Sequence, residues 1–420
     1  MSILTRLATT AVALAIIIQL RLSSLGIAPI SKPLPPLLPW PANPQILTGK
    51  LQKIGEGDLL GPECLVLKNG YMFMSLGDGR IVRAWHVKEG NGENLQWETL
   101  VRTGDNSASA NCGKGGPTDS TNTEETCGRP LGMTIVNSSA VIDDGEEEDV
   151  LLVADAYRGL LLIRDIYSKG SAKLLTLATR AKTDDDGKSF QLLNGLIAAP
   201  DGAIYFTETS QDFHRRRIFH AAFDGRAAGR LLKFTKQNDV TVAAEELYMP
   251  NGLSVSHDEQ YLLIVSGVQI LKYSLKKRAM ESKSFTSMPG TGDNIVTRQH
   301  LPNGTPSKCY WAALGSKFAE PFSLLKAVSE KPYLKSILIA LVPYKTIVEA
   351  IPKLSALAVY GEDGTLLDIY QDGDASAPWL SEGTVFGDYV YLGSWYNDFL
   401  ARVKVEELAV TSKSTKLMMV

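Results

Sequence analysis

Cysteine is scarce in this 420-residue chain, with four in all. No dense disulfide framework can therefore hold the fold, which must draw its stability from buried apolar surface. Histidine is nearly as scarce, at five residues, and no Cys/His cluster has the spacing of a zinc site. Neither sign of charge dominates: 43 Lys and Arg against 46 Asp and Glu leave a net charge of −3. That balance excludes the basic footprint of a nucleic-acid-binding surface. A full-length membrane-spanning run is also missing. The uncharged stretch at residues 7–20 (LATTAVALAIIIQL) is 14 residues long between Arg6 and Arg21, short of the roughly 20 that a spanning helix needs.

The chain stays apolar from Leu22 to Ile30, and Arg21 could snorkel if the segment were longer. A cleaved signal peptide and a retained signal anchor both fit. The absence of a small-residue cleavage site directly after the run favours the anchor, residues 1–30. A Pro-rich linker follows over 31–50, with the stiffness of residues 30–43 (PISKPLPPLLPWPA). Either reading sends residues 51–420 into the secretory lumen. Cys112 and Cys127 bracket a polar, Gly-rich loop and are expected to form a disulfide there. Cys64 and Cys309 lie in apolar, strand-like surroundings and are expected as buried thiols. Asn137-Ser138-Ser139 and Asn303-Gly304-Thr305 are glycosylation sequons.

What the chain does have is internal repetition. Asn194-Gly195-Leu196 and Asn251-Gly252-Leu253 each open a short strand, reach an Asp seven residues after the Asn (Asp201, Asp258), turn, and enter a second apolar strand. Such repetition marks one supersecondary unit used several times. Asn is depleted in strands, so its place at the head of two of them asks for a reason. Further units read from Gly61 to Trp85, from Gly128 to Ile163, from Met288 to Leu314 and from Ser355 to Val403. The first contains Asn69-Gly70 between apolar runs, a strong hairpin signal. Six such units predict an all-β, six-bladed β-propeller; a large sandwich is the alternative. Residues 319–351 interrupt the pattern with apolar positions at helical spacing, divided by Pro332, Pro343 and Pro352. They predict a helical insertion between blades 5 and 6, either packed on one face or lying as a lid over the channel mouth.

In a propeller the first strand of each blade lines the central channel. The starts of these strands carry Glu63, Asn194, Asn251 and Asp293. Two carboxylates and two amide oxygens suit a hard cation, since Ca²⁺ takes six to eight oxygen ligands. Asn-Gly and Pro-Gly are also ordinary turn signals, and it is the recurrence at equivalent points that favours a shared site.

Several motifs, in order along nearly the whole chain, resemble those of the strictosidine synthase-like family. They are Gly61-Pro62-Glu63, the run Cys127 to Gly132 (CGRPLG), Ala154 to Leu160 (ADAYRGL), Ile204 to Glu208 (IYFTE), Met249-Pro250-Asn251-Gly252, Met288 to Ile295 (MPGTGDNI) and Tyr391-Leu392-Gly393-Ser394. The resemblance implies a six-bladed propeller of the calcium-dependent phosphotriesterase superfamily, anchored as a single-pass type II membrane protein. It implies one calcium ion on Glu63, Asn194, Asn251 and Asp293, with Asp293 as general base or nucleophile. Arylesterase-type hydrolysis of small hydrophobic esters is the implied activity. A non-catalytic propeller that binds a hydrophobic ligand or a protein partner at the membrane is the alternative, and strictosidine-type condensation a third.

Three departures sharpen this. Arg129-Pro130-Leu131-Gly132 stands where paraoxonase relatives carry a His pair, so a His-based lactonase mechanism is not expected. Gly195 and Cys64 stand where many relatives place the carboxylates of a second metal, so one ion is expected. Ser381 or Glu382 falls near the catalytic Glu of the plant synthases, and a one-residue shift on a strand would reverse its face. The lumenal orientation predicts glycosidase-sensitive protein in secretory cells. Asn137→Gln and Asn303→Gln should each remove one glycan step on a gel; a chain that never gains glycan contradicts the orientation.

Overall fold

The computed structural model describes residues 3–42, 44–89, 92–105, 111–113, 123–143, 145–184, 188–236, 239–317 and 324–409. Six antiparallel sheets form six blades. Blade 1 comprises Leu65–Lys68, Tyr71–Ser75, Arg80–Glu89 and Gly92–Arg102. Its first hairpin turns on Asn69 and Gly70, both at positive φ (50° and 77°), as the tight two-residue turn requires. Blade 2 runs over Pro130–Asn137, Asp149–Asp155, Gly159–Arg164 and Lys173–Ala178. Blade 3 runs over Leu193–Ala198, Ile204–Glu208, Gly229–Thr235 and Asp239–Leu247. Blade 4 is built from Pro250–Val255, Tyr261–Ser266, Gln269–Ser274 and the short Ala279–Met280.

The last two blades correct the expected boundaries. Blade 5 pairs Gly290–His300 with Pro306–Lys317, then Ser355–Gly361, then Leu366–Asp372. Ser355 therefore belongs to the third strand of blade 5 and does not open blade 6. The helical insertion lies inside blade 5, between its second and third strands, rather than between blades 5 and 6. Cross-strand pairing of Trp311 with Val359 and of Leu314 with Ala356 holds the two strands together whatever the connection contains. Blade 6 consists of Leu380–Phe386, Tyr389–Ser394 and Leu400–Lys404, completed by Gln52–Ile54 from the other end of the chain. That pairing closes the ring. Gln45–Ile46 adds a parallel strand to the outer edge of blade 5.

No single core serves the ring. Apolar side chains form a wedge between each pair of neighbouring blades, such as Phe206 and Leu232 of blade 3 against Leu152 and Leu162 of blade 2. Likewise, Trp311 and Leu357 of blade 5 meet Leu392 and Ala401 of blade 6. Full burial of each such side chain contributes about 1.5–3 kcal/mol, so every wedge resists separation of its two blades. A further cluster lies off the ring, where Leu22 and Ile27 meet Phe223, Ile339 and Ile347.

The inner strands of blades 2 to 6 all carry a bulge near their starts. The register slips at 130–133, 193–196, 250–253, 292–295 and 380–382. A bulge re-aims a side chain, and this answers why Asn can head a strand here. Next to it, the backbones of neighbouring blades nearly touch. A Cβ at Gly132 would lie 2.4 Å from the Asn194 carbonyl oxygen, and one at Gly195 2.4 Å from that of Asn251. One at Gly252 would lie 2.5 Å from Cα of Asn294. Gly195 is thus a steric requirement of blade contact.

Strand order also decides what covers the channel. Inner strands start on one face, so the connection between the second and third strands of each blade emerges on that same face. In blade 3 this connection forms the helix Ile218–Asp224; in blade 5 it forms Leu324–Val328, Pro332–Leu341 and Tyr344–Glu349. Pro332 starts its helix and Pro343 precedes the next, as the sequence predicted. The N-terminal helix, Ile3–Leu25, rests on this cap. Arg217 donates to the Leu25 carbonyl (2.7 Å), Ala28 N–H to Asp224 Oδ1 (2.8 Å), and the buried Lys335 to the Ile30 carbonyl (2.8 Å). Among the described residues no helix is long and apolar enough to cross a membrane. Cys112 and Cys127 are bonded, Cα to Cα 5.7 Å, while Cys64 and Cys309 are free and buried; all four agree with expectation. Asn137 ends the first strand of blade 2 and Asn303 stands on a turn, each accepting from the backbone N–H two residues on (3.0 and 3.1 Å).

Gly195→Ala should lower stability by about 3 kcal/mol or more, because overpacking at a backbone contact has no flexible side chain to yield. Thermal or urea unfolding measures it; a wild-type midpoint would contradict the close approach of blades 3 and 4.

Candidate active site and metal centre

A cavity of 410 Å³ opens at the channel mouth, and Glu63, Asn194, Asn251 and Asp293 all line it. All four residues singled out in the sequence are thus brought together. The bulges of blades 3, 4 and 5 deliver Asn194, Asn251 and Asp293, and Glu63 precedes the inner strand of blade 1.

The orientation of each amide follows from its partners. Asn194 donates through Nδ2 to Thr209 Oγ1 (3.2 Å), whose own hydroxyl donates to the Pro250 carbonyl (2.7 Å). Asn251 makes a side-chain hydrogen bond to Asp293. The carbonyl oxygens Asn194 Oδ1 and Asn251 Oδ1 are left buried and without a partner. A buried unsatisfied oxygen costs about 1–3 kcal/mol, so two at one site need a cation or a donor to face them. Burial and the neighbouring Glu63 carboxylate push the Asp293 carboxyl well above the usual carboxylate range. Burial likewise pushes Glu63 up, against the pull of Arg129. The donor set of two carboxylates and two free amide oxygens fits Ca²⁺.

Arg129 is the residue whose role sequence reasoning missed. Its guanidinium is buried and donates through Nη2 to Glu63 Oε2 (3.0 Å) and to the Trp395 carbonyl (3.2 Å). It threads beside the first blade where only glycine fits: a Cβ at Gly77 would lie 2.0 Å from its Nη1, and one at Gly61 3.1 Å. Gly61 itself sits at positive φ (55°), where a side chain is strained, and a Cβ there would lie 3.0 Å from the Trp395 carbonyl oxygen as well as 3.1 Å from Arg129. Asp155 holds the backbone of Arg129, accepting its N–H on Oδ2 (2.9 Å) with the Thr103 hydroxyl (2.6 Å). On Oδ1 it accepts the N–H groups of Tyr157 and Arg158 (2.9 and 3.0 Å).

A second buried cation, Arg215, lines the same cavity. It bonds Glu124 Oε1 at 2.7 Å and lies 5.6 Å from the Trp395 ring centroid. Burial works against its charge, but Glu124 and Glu63 overcome this and push its pKa up. Glu124 belongs to the single helical turn that ends at Cys127, so the disulfide loop reaches the site through this ion pair. Trp395 in turn stacks on Trp379 at 5.1 Å and 8° between planes.

The ceiling is apolar. Phe219 and Phe223 come from the blade 3 helix, and Tyr344, Ile347 and Val348 from the blade 5 insertion. The insertion packs on this face against the N-terminal and blade 3 helices, and Tyr344, Ile347 and Val348 also line the cavity. Neither Ser381 nor Glu382 lines the cavity. Ser381 donates to the Glu63 carbonyl oxygen (2.7 Å), and Glu382 is buried beside Arg298 and Cys64, its carboxyl raised by burial to about 7. Neither is placed for strictosidine-type chemistry.

Comparison with known proteins agrees with the motifs. Residues 194–278 match the strictosidine synthase family model, and residues 48–84 the model of the strictosidine synthase-like N-terminal region. The chain resembles the strictosidine synthase-like family over these two segments, and curated relatives over most of its length. It is 29% identical over 388 residues to the adipocyte plasma membrane-associated protein of Gallus gallus, covering 90% of this chain and 84% of that one. To the Homo sapiens protein of the same name it is 28% identical over 386 residues, covering 90% and 83%. Among solved structures, a gluconolactonase from Xanthomonas campestris aligns with a TM-score of 0.48 at 16% identity, covering 89% of this chain and 98% of that one. Glu63, Asn194 and Asn251 fall within the matched family segments, and Asp293 lies beyond them.

Arg129→Met should destabilise the protein by about 3–5 kcal/mol, because it leaves the Glu63 carboxylate buried without its partner. Urea unfolding checks this, and Glu63→Gln in the same background should restore part of the loss.

Proposed function

We propose that this protein is a calcium-dependent hydrolase of arylesterase type, acting on small hydrophobic esters. One calcium ion would be held by Glu63, Asn194, Asn251 and Asp293, and when bound would supply Lewis-acid polarisation of an ester carbonyl. The observation that carries this reading is the pair of buried Asn oxygens without partners between two buried carboxylates. Asp293 acts as general base toward an attacking water, as a carboxylate at the floor of the cavity beside the two Asn side chains. Phe219, Phe223 and Ile347 hold the apolar part of the ester and exclude bulk water. We further propose that the helix Ile3–Leu25 is a retained type II signal anchor, with the propeller lumenal or extracellular. The membrane association in the names of the relatives supports this.

The Glu63–Arg129 pair favours a second reading. Arg129 already neutralises one of the two carboxylates, so the site can persist as a non-catalytic pocket for a hydrophobic ligand without a metal. Calcium removal separates the two. With calcium, purified protein should hydrolyse phenyl acetate, and chelator or Asp293→Asn should lower the rate by about 100-fold or more. Calcium at about 100 times its Kd should add about 2.7 kcal/mol of stability, seen as a raised Tm. Hydrolysis that ignores both changes overturns the enzyme reading. A Tm that ignores calcium overturns the metal site.

A further inference from the structure

An asparagine side chain has two unlike ends. Its Oδ1 attracts a cation and its Nδ2 hydrogens repel one, so an Asn serves a metal only when a neighbour decides which end is free. Asn251 takes its orientation from Asp293, a member of the same donor set. Asn194 takes its orientation from Thr209, a residue outside that set.

Thr209 directly follows the second strand of blade 3, Ile204–Glu208. It is buried with Asn194, the two being 2% and 4% exposed. Its N–H donates to the carbonyl of Leu192 (2.8 Å), two residues before Asn194. Its hydroxyl donates to the carbonyl of Pro250 (2.7 Å), the residue before Asn251. A carbonyl can only accept, so the single hydroxyl hydrogen is committed to Pro250, and Oγ1 meets Asn194 as an acceptor. The Asn194 amide must then turn Nδ2 toward Thr209, as it does at 3.2 Å, and Oδ1 is the end left without a partner. Reversal of the amide would set Oδ1 against the lone pairs of Oγ1 or break the bond to Pro250. At this burial no water replaces what is lost. Thr207, two residues earlier, makes a useful contrast. Its hydroxyl also bridges blades 3 and 4, accepting from the Gly195 N–H (2.9 Å) and donating to the Asn251 carbonyl (2.7 Å). Both of those partners are backbone, so Thr207 fixes where the strands lie, whereas Thr209 fixes which atom of Asn194 is free.

We propose that Thr209 is a positioning residue of the calcium site, acting through Asn194. The chain from the Pro250 carbonyl through the Thr209 hydroxyl to the Asn194 amide keeps Oδ1 available to the ion and Nδ2 away from it. This role rests on the calcium reading given above and extends it to a residue that donates no ligand atom. It needs no ester and no catalytic step. Partners that orient a ligand in this way are worth about 10–100-fold in metal affinity.

Calorimetric titration of the purified full chain with calcium tests this. Thr209→Val keeps the shape of the side chain and removes both hydrogen bonds; it should raise the calcium Kd about 10–100-fold. Thr209→Ser keeps the hydroxyl and should stay within about threefold of the wild type. Asn194→Asp replaces the amide with two oxygens that both accept, so orientation no longer matters there. In that background Thr209→Val should change the Kd by less than about threefold. A merely structural role would lower the Tm measured in chelator and leave the Kd of the folded protein unmoved. A wild-type Kd in Thr209→Val overturns the proposal, as do failure of Thr209→Ser to restore binding and an equal loss in the Asn194→Asp background. In each of those cases the wild type still binds calcium, so the metal site stands. A wild type that binds no calcium overturns the metal site and this role together.

Discussion

The close approach of the inner strands around the channel is the constraint on which the rest depends. Where blades 2, 3 and 4 meet their neighbours, backbone lies so near backbone that Gly132, Gly195 and Gly252 have no room for a side chain. Strands packed this tightly cannot run regularly to their ends, and the bulges at their starts turn the adjacent residue into the channel. The site is thus a product of closure: Asn194, Asn251 and Asp293 converge because the ring is narrow there. The six apolar wedges hold the blades at that spacing and so maintain the site from outside.

Charge at this narrow point is paired within the protein. Glu63 faces Arg129, Glu124 faces Arg215, and Asp155 accepts four hydrogen bonds while fixing the backbone of Arg129. Among the described residues Asp293 makes no ion pair, and its side chain is hydrogen-bonded by Asn251. Such an arrangement holds Glu63 in place from within the protein, and leaves Asp293 and the two partnerless Asn oxygens at the wall of the cavity. The disulfide loop contributes through Glu124, so covalent order between blades 1 and 2 bears on the electrostatics of the floor.

Much of this was legible in the sequence, and the limits have physical causes. The Asn-Gly-Leu repeats disclosed the blades because inner strands face one environment and so share a pattern. The four cage residues were legible for the same reason, since each holds an equivalent place in its unit. Gly195, read first as the absence of a second metal's carboxylate, is explained equally by the Asn251 backbone that faces it. The boundary of blade 5 was not legible, because three helices stand between two strands that pair directly, and pairing leaves no mark at such separation. Arg129 was read as a substitution for histidine; its engagement with Glu63, 66 residues earlier, is visible only once blades 1 and 2 are side by side. The position of the lid follows from strand direction, which a list of segments does not contain.

The strand Gln52–Ile54 that completes blade 6 leads to a consequence in time. Arg402 reaches Gln52 across 350 residues, so the first strand of the ring leaves the ribosome long before its partner exists. At synthesis rates of about 5–20 residues per second, the wait is on the order of 20 to 70 s. Through that interval Gln52–Ile54 has no mate, while blades 1 to 4 are completed from their own strands. The nascent chain must therefore keep its two ends within reach of each other, and tethering of the N-terminal helix beside the point of emergence would shorten the search.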